Sequence, residues 1–539
     1  MPRGGARSGH CICRGGPSFG GSGTKEDPWL ITSCDDLIAL AEFLNSGDAA
    51  KNYNNCNGYY FKQTADIDLA DVENWEPIGY SGGEGIYFAG NYDGGGHIIA
   101  NATSTGKKDD DGFATAGIFG WVAFGSVENL HVKNANFVAT GKKNYSYVGG
   151  ITGVCFGASI QNCLVTDSKL ESKCDDNNNN CAGSIAGSSF RGAFENCAAE
   201  NNHVTSMTYG GGFVGEIEDE DEDGNVLKNS TFTNCYAADC TVTGVTPYTN
   251  GWSFIGGFAG QVTNKEPTAK NCFVYRAKLY TDETSASNKS FGVFAGNLWG
   301  NPPTFQSTIS ADKCFYGECE FYGECEMEED VEGVKQKTAE EFENGTVAGL
   351  LGDAFAQARN YPKFKDSPAD YSAVDAAIAK ANALNRDEYK NFSTVEDAIN
   401  AVVRGKPLTK QAEVDAMAKA IEDAIAALQY KGADYSKVNA ALAKANALNK
   451  DDYKDFTAVE AAVYAVVRDK NITEQTAVDA MAKAIEDAIA ALEKKPVETT
   501  VQLPQTGDDS NLALWAALLL VSGAAICTMM AGKKRNFGK

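Results

Sequence analysis

Two periodicities divide the chain. Between residues 116 and 300, short runs of alternating apolar and small residues carry a recurring glycine–aliphatic–glycine phrase. It reads AGIFG at 116–120, GGITG at 149–153, GSIAG at 183–187, GGFVG at 211–215, GGFAG at 256–260 and GVFAG at 292–296. The closing glycines lie 33, 34, 28, 45 and 36 residues apart. A second phrase follows most of these: Asn129-Leu130, Asn162-Cys163, Asn196-Cys197, Asn234-Cys235 and Asn271-Cys272, each leading into a short β-prone run. Fixed phrases at a variable period predict one coil per repeat, with the insertions as loops. Alternate residues then face the core, and glycine permits close approach of stacked backbone. Stacking sets like above like. The asparagines are expected to form a hydrogen-bonded ladder, and Cys163, Cys197, Cys235 and Cys272 a buried apolar stack of free thiols. The predicted architecture is a right-handed parallel β-helix. A propeller or sandwich is the alternative that short strands with turn signals leave open.

The pattern changes after residue 370. Residues 370–428 and 434–492 repeat at an offset of 64, and AMAKAIEDAIAAL at 416–428 returns unchanged at 480–492. Each copy reads as three helices. Val374, Ile378 and Ala381 mark the first, and Val414, Met417, Ile421, Ala424, Ile425 and Leu428 form a core stripe on the third. Ser393–Glu396 and Thr457–Glu460 match capping boxes for the second helix. Two three-helix bundles in series are predicted, at 370–430 and 434–493, with a linker at 494–502.

A third pattern ends the chain. Residues 512–531 form an uncharged apolar run of 20 residues, the length a helix needs to cross a membrane. The basic tail Lys533, Lys534 and Arg535 follows it and predicts a cytoplasmic end. Leu503, Pro504, Gln505, Thr506 and Gly507 stand just before the run. The three parts in this order resemble the LPXTG sorting signal of Gram-positive surface proteins over residues 503–539. The resemblance implies cleavage by a sortase between Thr506 and Gly507 and transfer to peptidoglycan. It also implies an extracellular, wall-anchored protein whose precursor spans the membrane once.

Composition narrows the function classes. The formal net charge is −25, from 47 basic and 72 acidic residues, which opposes binding to nucleic acid. Fifteen of the 16 cysteines lie between Cys11 and Cys325, within the first half of the chain or close to it. Residues 1–23 carry Arg3, Arg7 and Arg14 but no apolar run, and are expected to be disordered or a non-native start of a longer gene.

Candidate sites are few. Cys174–Cys181 and Cys319–Cys325 bracket short polar loops and are the candidate disulfides. Asp219, Asp221 and Asp223 precede Gly224 as in the first half of a calcium loop, but Ser230 takes the place of its closing glutamate. Calcium is thus the candidate metal, against a solvated acidic loop, and no other cofactor is expected. Asp66, Asp68 and Asp93 fall in turn phrases, where aspartate bonds to nearby backbone. The histidines are scattered, and no metalloprotease, serine-hydrolase or phosphate-loop motif occurs.

Two further resemblances cover most of the chain. The glycine phrases, together with the entry segments Gly23–Ile31, Tyr60–Leu69, Trp75–Gly79 and Phe88–His97, resemble GLUG-repeat surface proteins over residues 23–365. On that basis 24–115 is the N-terminal cap with the first rungs, 116–333 the solenoid and 334–366 its C-terminal cap. The tandem helical repeat resembles the FIVAR module, which implies a spacer. These resemblances imply a surface-displayed, adhesin-like binding protein for a host matrix protein or a glycan, and not an enzyme. The alternative is an exported glycan-active enzyme or a non-catalytic fragment of one. A carboxylate pair converging in a groove would favour the enzyme. A row of exposed aromatic rings, with Trp252, Tyr280 and Trp299 as candidates, would favour binding.

Overall fold

The computed structural model describes residues 19–497 apart from 143–144, 175–179, 219–228, 246–251, 264–266, 282–287, 300–308, 324–325 and 328–330. Each repeat forms a coil of five short strands. In one coil these are Ser126–Glu128, His131–Lys133, Asn136–Gly141, Ser146–Gly149 and Thr152–Phe156. Each strand pairs in parallel with its counterparts one coil before and one coil after, so that Val127 is in register with Tyr92 and Ile160. The coils stack into five sheets, here I to V in that order, of nine, nine, seven, eight and six strands. The parallel β-solenoid predicted from the phrases is the observed fold.

Side chains at repeated positions explain the stacking. Val127, Ile160, Phe194 and Phe232 of sheet I and Val132, Val165, Ala199 and Ala237 of sheet II all face one continuous core. The glycine phrase turns the corner between sheets IV and V. A Cβ on Gly149 would sit 2.1 Å from the Thr152 carbonyl oxygen and 2.7 Å from Ala186 Cα, so no side chain fits there. The central residue of the phrase enters the core. Phe213, Phe258 and Phe294 stack there with centroids 4.7 Å apart, and burying each ring contributes roughly 1.5–3 kcal/mol.

The asparagine ladder forms as expected. Asn162, Asn196, Asn234 and Asn271 each donate through Nδ2 to the Oδ1 of the asparagine one coil earlier, at 2.8 to 3.0 Å. Asn129 begins the ladder by donating to Asp93 Oδ1 at 2.9 Å. All five asparagines adopt positive φ, which asparagine tolerates better than most residues. Beside them Cys163, Cys197, Cys235, Cys272 and Cys314 are free and buried. Each donates to the carbonyl two residues earlier, as Cys163 Sγ does to Gln161 at 3.2 Å.

Residues near both ends of the solenoid shield its apolar surface. Helix Cys34–Asn45 buries Leu37, Leu40, Ala41 and Leu44, and Ser33 caps it by accepting from Asp36 N. Later in the chain, Phe342, Val347, Leu351, Phe355 and Tyr361 cluster with Ala198, Tyr236, Phe273, Tyr275 and Phe315 on the outer face of sheet II. A capping box of Thr338 and Glu341 opens the first helix of that segment.

The expected fold class needs correction in its second half. The first repeat contains helices Ser372–Asn382, Ser393–Asn400 and Gln411–Ala426, and the second Ser436–Asn446, Thr457–Tyr464 and Gln475–Ala490. These do not sort into two bundles. The chain forms two compact units, residues 1–384 with 393–427, and residues 385–392 with 428–539. The first three helices therefore belong to the same unit as the solenoid. In the second copy Ala441, Ala445, Val459 and Ile485 of its three helices share one small core, but the boundary between the units does not follow the boundary between the repeats. The predicted box at Thr457 is also absent: Asp455 accepts from Thr457 N and Oγ1 at 2.9 and 2.6 Å and holds the helix start instead.

The predicted membrane crossing is corrected too. No helix among the described residues is long and apolar enough to cross a membrane, so the expected span, and the location built on it, find no support among them. Residues 512–531, the sorting peptide Leu503–Gly507 and the tail Lys533, Lys534 and Arg535 lie outside the described residues.

Candidate functional site

A second column of turn residues runs between sheets II and III. It reads Asn101, Asn134, Asp167, Asn201, Asp239, Arg276 and Glu318, all at positive φ. It starts as a ladder, Asn101 donating to Asp68 at 2.8 Å and Asn134 to Asn101 at 2.7 Å. Asn201 donates to Asp167 at 2.8 Å. The next three coils carry Asp239, Arg276 and Glu318, which break the amide pattern.

A groove of about 750 Å³ opens at this break, lined by Asn201, His203, Asp239, Thr241, Arg276, Lys278, Glu318, Cys319 and Glu320. Its wall is the outer face of sheet III, where His203, Thr241, Lys278 and Glu320 are in register. Arg276 is fixed by Asp239, with Nε and Nη2 at 2.7 and 3.0 Å from its two oxygens, and that bond raises the guanidinium pKa. The Arg276 guanidinium also lies 5.2 and 5.9 Å from the ring centroids of Tyr275 and Tyr361. Glu318 accepts from Tyr275 Oη at 3.0 Å. In the neighbouring column Glu200 takes Tyr236 Oη at 2.6 Å and Lys363 Nζ at 2.7 Å.

The same face of sheet III continues two residues along each strand into Thr205, Thr243, Tyr280 and Tyr322. Tyr280 and Tyr322 stack with centroids 4.5 Å apart and planes 5° from parallel. Tyr322 is 42% exposed and donates to Glu320, a bond that raises its hydroxyl pKa to about 12. Carboxylates and aromatic rings thus converge on one face. Tyr280 was legible as a candidate. Its stacking partner and the groove were not, because Asp239 and Arg276 are 37 residues apart in sequence.

The other candidates fall elsewhere. Trp252 is exposed on sheet IV, 6.3 Å from Phe254, away from the groove. Trp299 ends a strand of sheet V. Cys174 and Cys181 are separate free thiols; Cys181 donates to buried Glu216 Oε2 at 3.2 Å. Cys319 is free at the groove, and Cys325 lies outside the described residues. So do the calcium candidates Asp219, Asp221 and Asp223, and among the described residues no cluster could hold a metal ion. Asp66, Asp68 and Asp93 are turn residues, each accepting from a backbone amide at 2.8 to 3.0 Å. Of the histidines, His97 pairs with Asp66. His131 is held below its usual pKa by burial. Among the described histidines, only His203 reaches the groove.

No family profile matches the chain. A segment of 141 residues, 24% of the chain, is 33% identical to halomucin of Haloquadratum walsbyi and spans 1% of that protein. Among solved structures, a candidate immunoglobulin A1 protease from Bacteroides ovatus is similar at 20% identity and a TM-score of 0.45, over 64% of this chain and 94% of that one. An IgA1 protease is similar at 14% identity and a TM-score of 0.36, over 69% of this chain and 28% of that one. Both of these structures are described as proteases, a description that stays with those proteins, and the expectation of a non-enzyme is withdrawn. At these distances neither neighbour assigns an activity to this chain.

Proposed function

We propose that the chain is an adhesin-like binding protein whose solenoid recognises a host matrix protein or a glycan. One observation carries this reading: half-buried Tyr280 and exposed Tyr322 stack directly beside an open polar groove on a parallel sheet. Tyrosine offers a flat apolar body and a polar tip at low conformational cost, which suits recognition surfaces. The scaffold fixes the groove before a ligand arrives, and that lowers the ordering cost of binding.

The test is retention of the full chain on arrays of glycans and matrix proteins. Retention on either class is expected, and failure on both would sink the reading. A glycan-active enzyme is the second reading, favoured by Asp239, Glu318 and Glu320 lining one groove. Shortening of arrayed glycans would decide for it.

A sortase and the peptidoglycan amine it transfers to are the proposed partners of Leu503–Gly507, and the motif itself is the support. Incubation with purified sortase and an amine acceptor should join the acceptor to Thr506. An unmodified chain, or modification that persists in Thr506→Ala, would exclude it.

A further inference from the structure

Among the described residues, the column positions around Tyr280 leave one face of its ring uncovered, as a gap. One face of its ring is covered by Tyr322. The other looks along the column toward Thr243 and Thr205, in register with it one and two coils earlier. These side chains are too short to cover a phenol ring. Adjacent strands lie about 4.8 Å apart, so one flat ring placed over Thr243 would be in stacking contact with Tyr280.

The groove beside that gap offers unused hydrogen-bonding groups. The His203 imidazole and the Thr241 hydroxyl have no partner among the described residues, and both point to the same face as the gap. The carboxylates are already engaged: Asp239 by Arg276, Glu318 by Tyr275 and Glu320 by Tyr322. Three carboxylates against the two cations Arg276 and Lys278 leave the lining net negative by one with His203 neutral. The whole chain carries −25. An anionic ligand would meet repulsion from both. A ligand with a flat apolar face, many hydroxyls and no charge would meet none. The groove's volume of about 750 Å³ falls within the roughly 300–1,000 Å³ typical of small-molecule sites.

We infer that the groove and the free face of Tyr280 form a subsite for a neutral oligosaccharide. One sugar ring stacks on Tyr280 above Thr243, and its neighbour bonds to His203 and Thr241. The inference rests on the binding reading above and narrows it to one ligand class and one face.

The experiment compares the full chain with Tyr280→Ala, Tyr280→Phe, Thr241→Val and Phe124→Ala. Neutral oligosaccharides of three to six sugars, their sialylated counterparts and matrix proteins are the probes. Wild-type protein should be retained on at least one neutral glycan. Tyr280→Ala should weaken that binding about tenfold through loss of stacking, and Thr241→Val about fivefold. Tyr280→Phe keeps the ring and should bind like wild type, which separates lost stacking from damage to the fold. Phe124 is exposed on another edge, and its removal should change nothing. Retention only on sialylated glycans, or unchanged binding by both Tyr280→Ala and Thr241→Val, would overturn the inference. Retention on matrix proteins alone would also overturn it while leaving the binding reading intact, and silence on every probe would remove both.

Discussion

Two columns of turn residues run side by side along the solenoid and end differently. Both begin on an aspartate of the entry region, Asp93 in one and Asp68 in the other. The first stays asparagine for five consecutive coils, and each amide satisfies the next. The second starts the same way and then becomes Asp239, Arg276 and Glu318. Where a position repeats, its polar atoms are consumed by the coil above and the coil below. Where the repeat breaks into charge, side chains turn to their neighbours and a groove opens. A departure from the repeat is therefore a better guide to a site than the repeat itself.

The largest expected effect asks whether a buried departure behaves like an exposed one. Glu216 stands in register with Ser188 and Gln261 on sheet V and is 3% exposed. Burial, helped by the nearby Glu218, holds its carboxyl up at about 8, against an ordinary 4.5. The folded protein keeps a proton that the unfolded chain releases, so stability falls as pH rises from about 4.5 to about 8 and then levels off. Glu216→Gln should flatten that fall and add a few kcal/mol at pH 8. Denaturant titrations of both proteins at pH 5 and pH 8 measure it. Parallel pH profiles would mean the carboxyl is not held neutral.

Next comes the ladder. Asn196→Ala removes two amide bonds at about 1 kcal/mol each and puts alanine at positive φ for roughly 1 kcal/mol more. A loss of about 2–3 kcal/mol is expected in equilibrium unfolding. Asn196→Gly spares the backbone term and should lose about 1 kcal/mol less. Equal losses in the two variants would show that φ, not the ladder, selects asparagine. The smallest effect belongs to the charged column. Arg276→Ala should cost at most about 1 kcal/mol, because its ion pair with Asp239 is a third exposed. A loss as large as that of Asn196→Ala would erase the distinction between the columns.

Much of the solenoid was legible because its constraints recur. Gly149 and its counterparts admit no Cβ, Asn162 needs positive φ and a partner above and below, and Cys163 needs a small buried space. Each constraint writes the same residue into successive coils. The groove could not be read that way. Tyr322 is an ordinary tyrosine until the register sets it on Tyr280, and Arg276 gains meaning only from Asp239 one coil away. The helical half misled for a related reason. Two near-identical sequences suggested two equivalent bodies, yet the first copy folds into the unit that holds the solenoid. Sequence identity fixes helices locally but not where one compact body ends.

The column of buried thiols makes the protein its own strain gauge. The stacked cysteines are sealed from solvent, each 0–1% exposed. No alkylating reagent reaches those sulfurs while the coils stay closed. Five cysteines at successive coils would then light up in the order in which the coils part, so the pattern of labelling spells out from which end the spring unwinds.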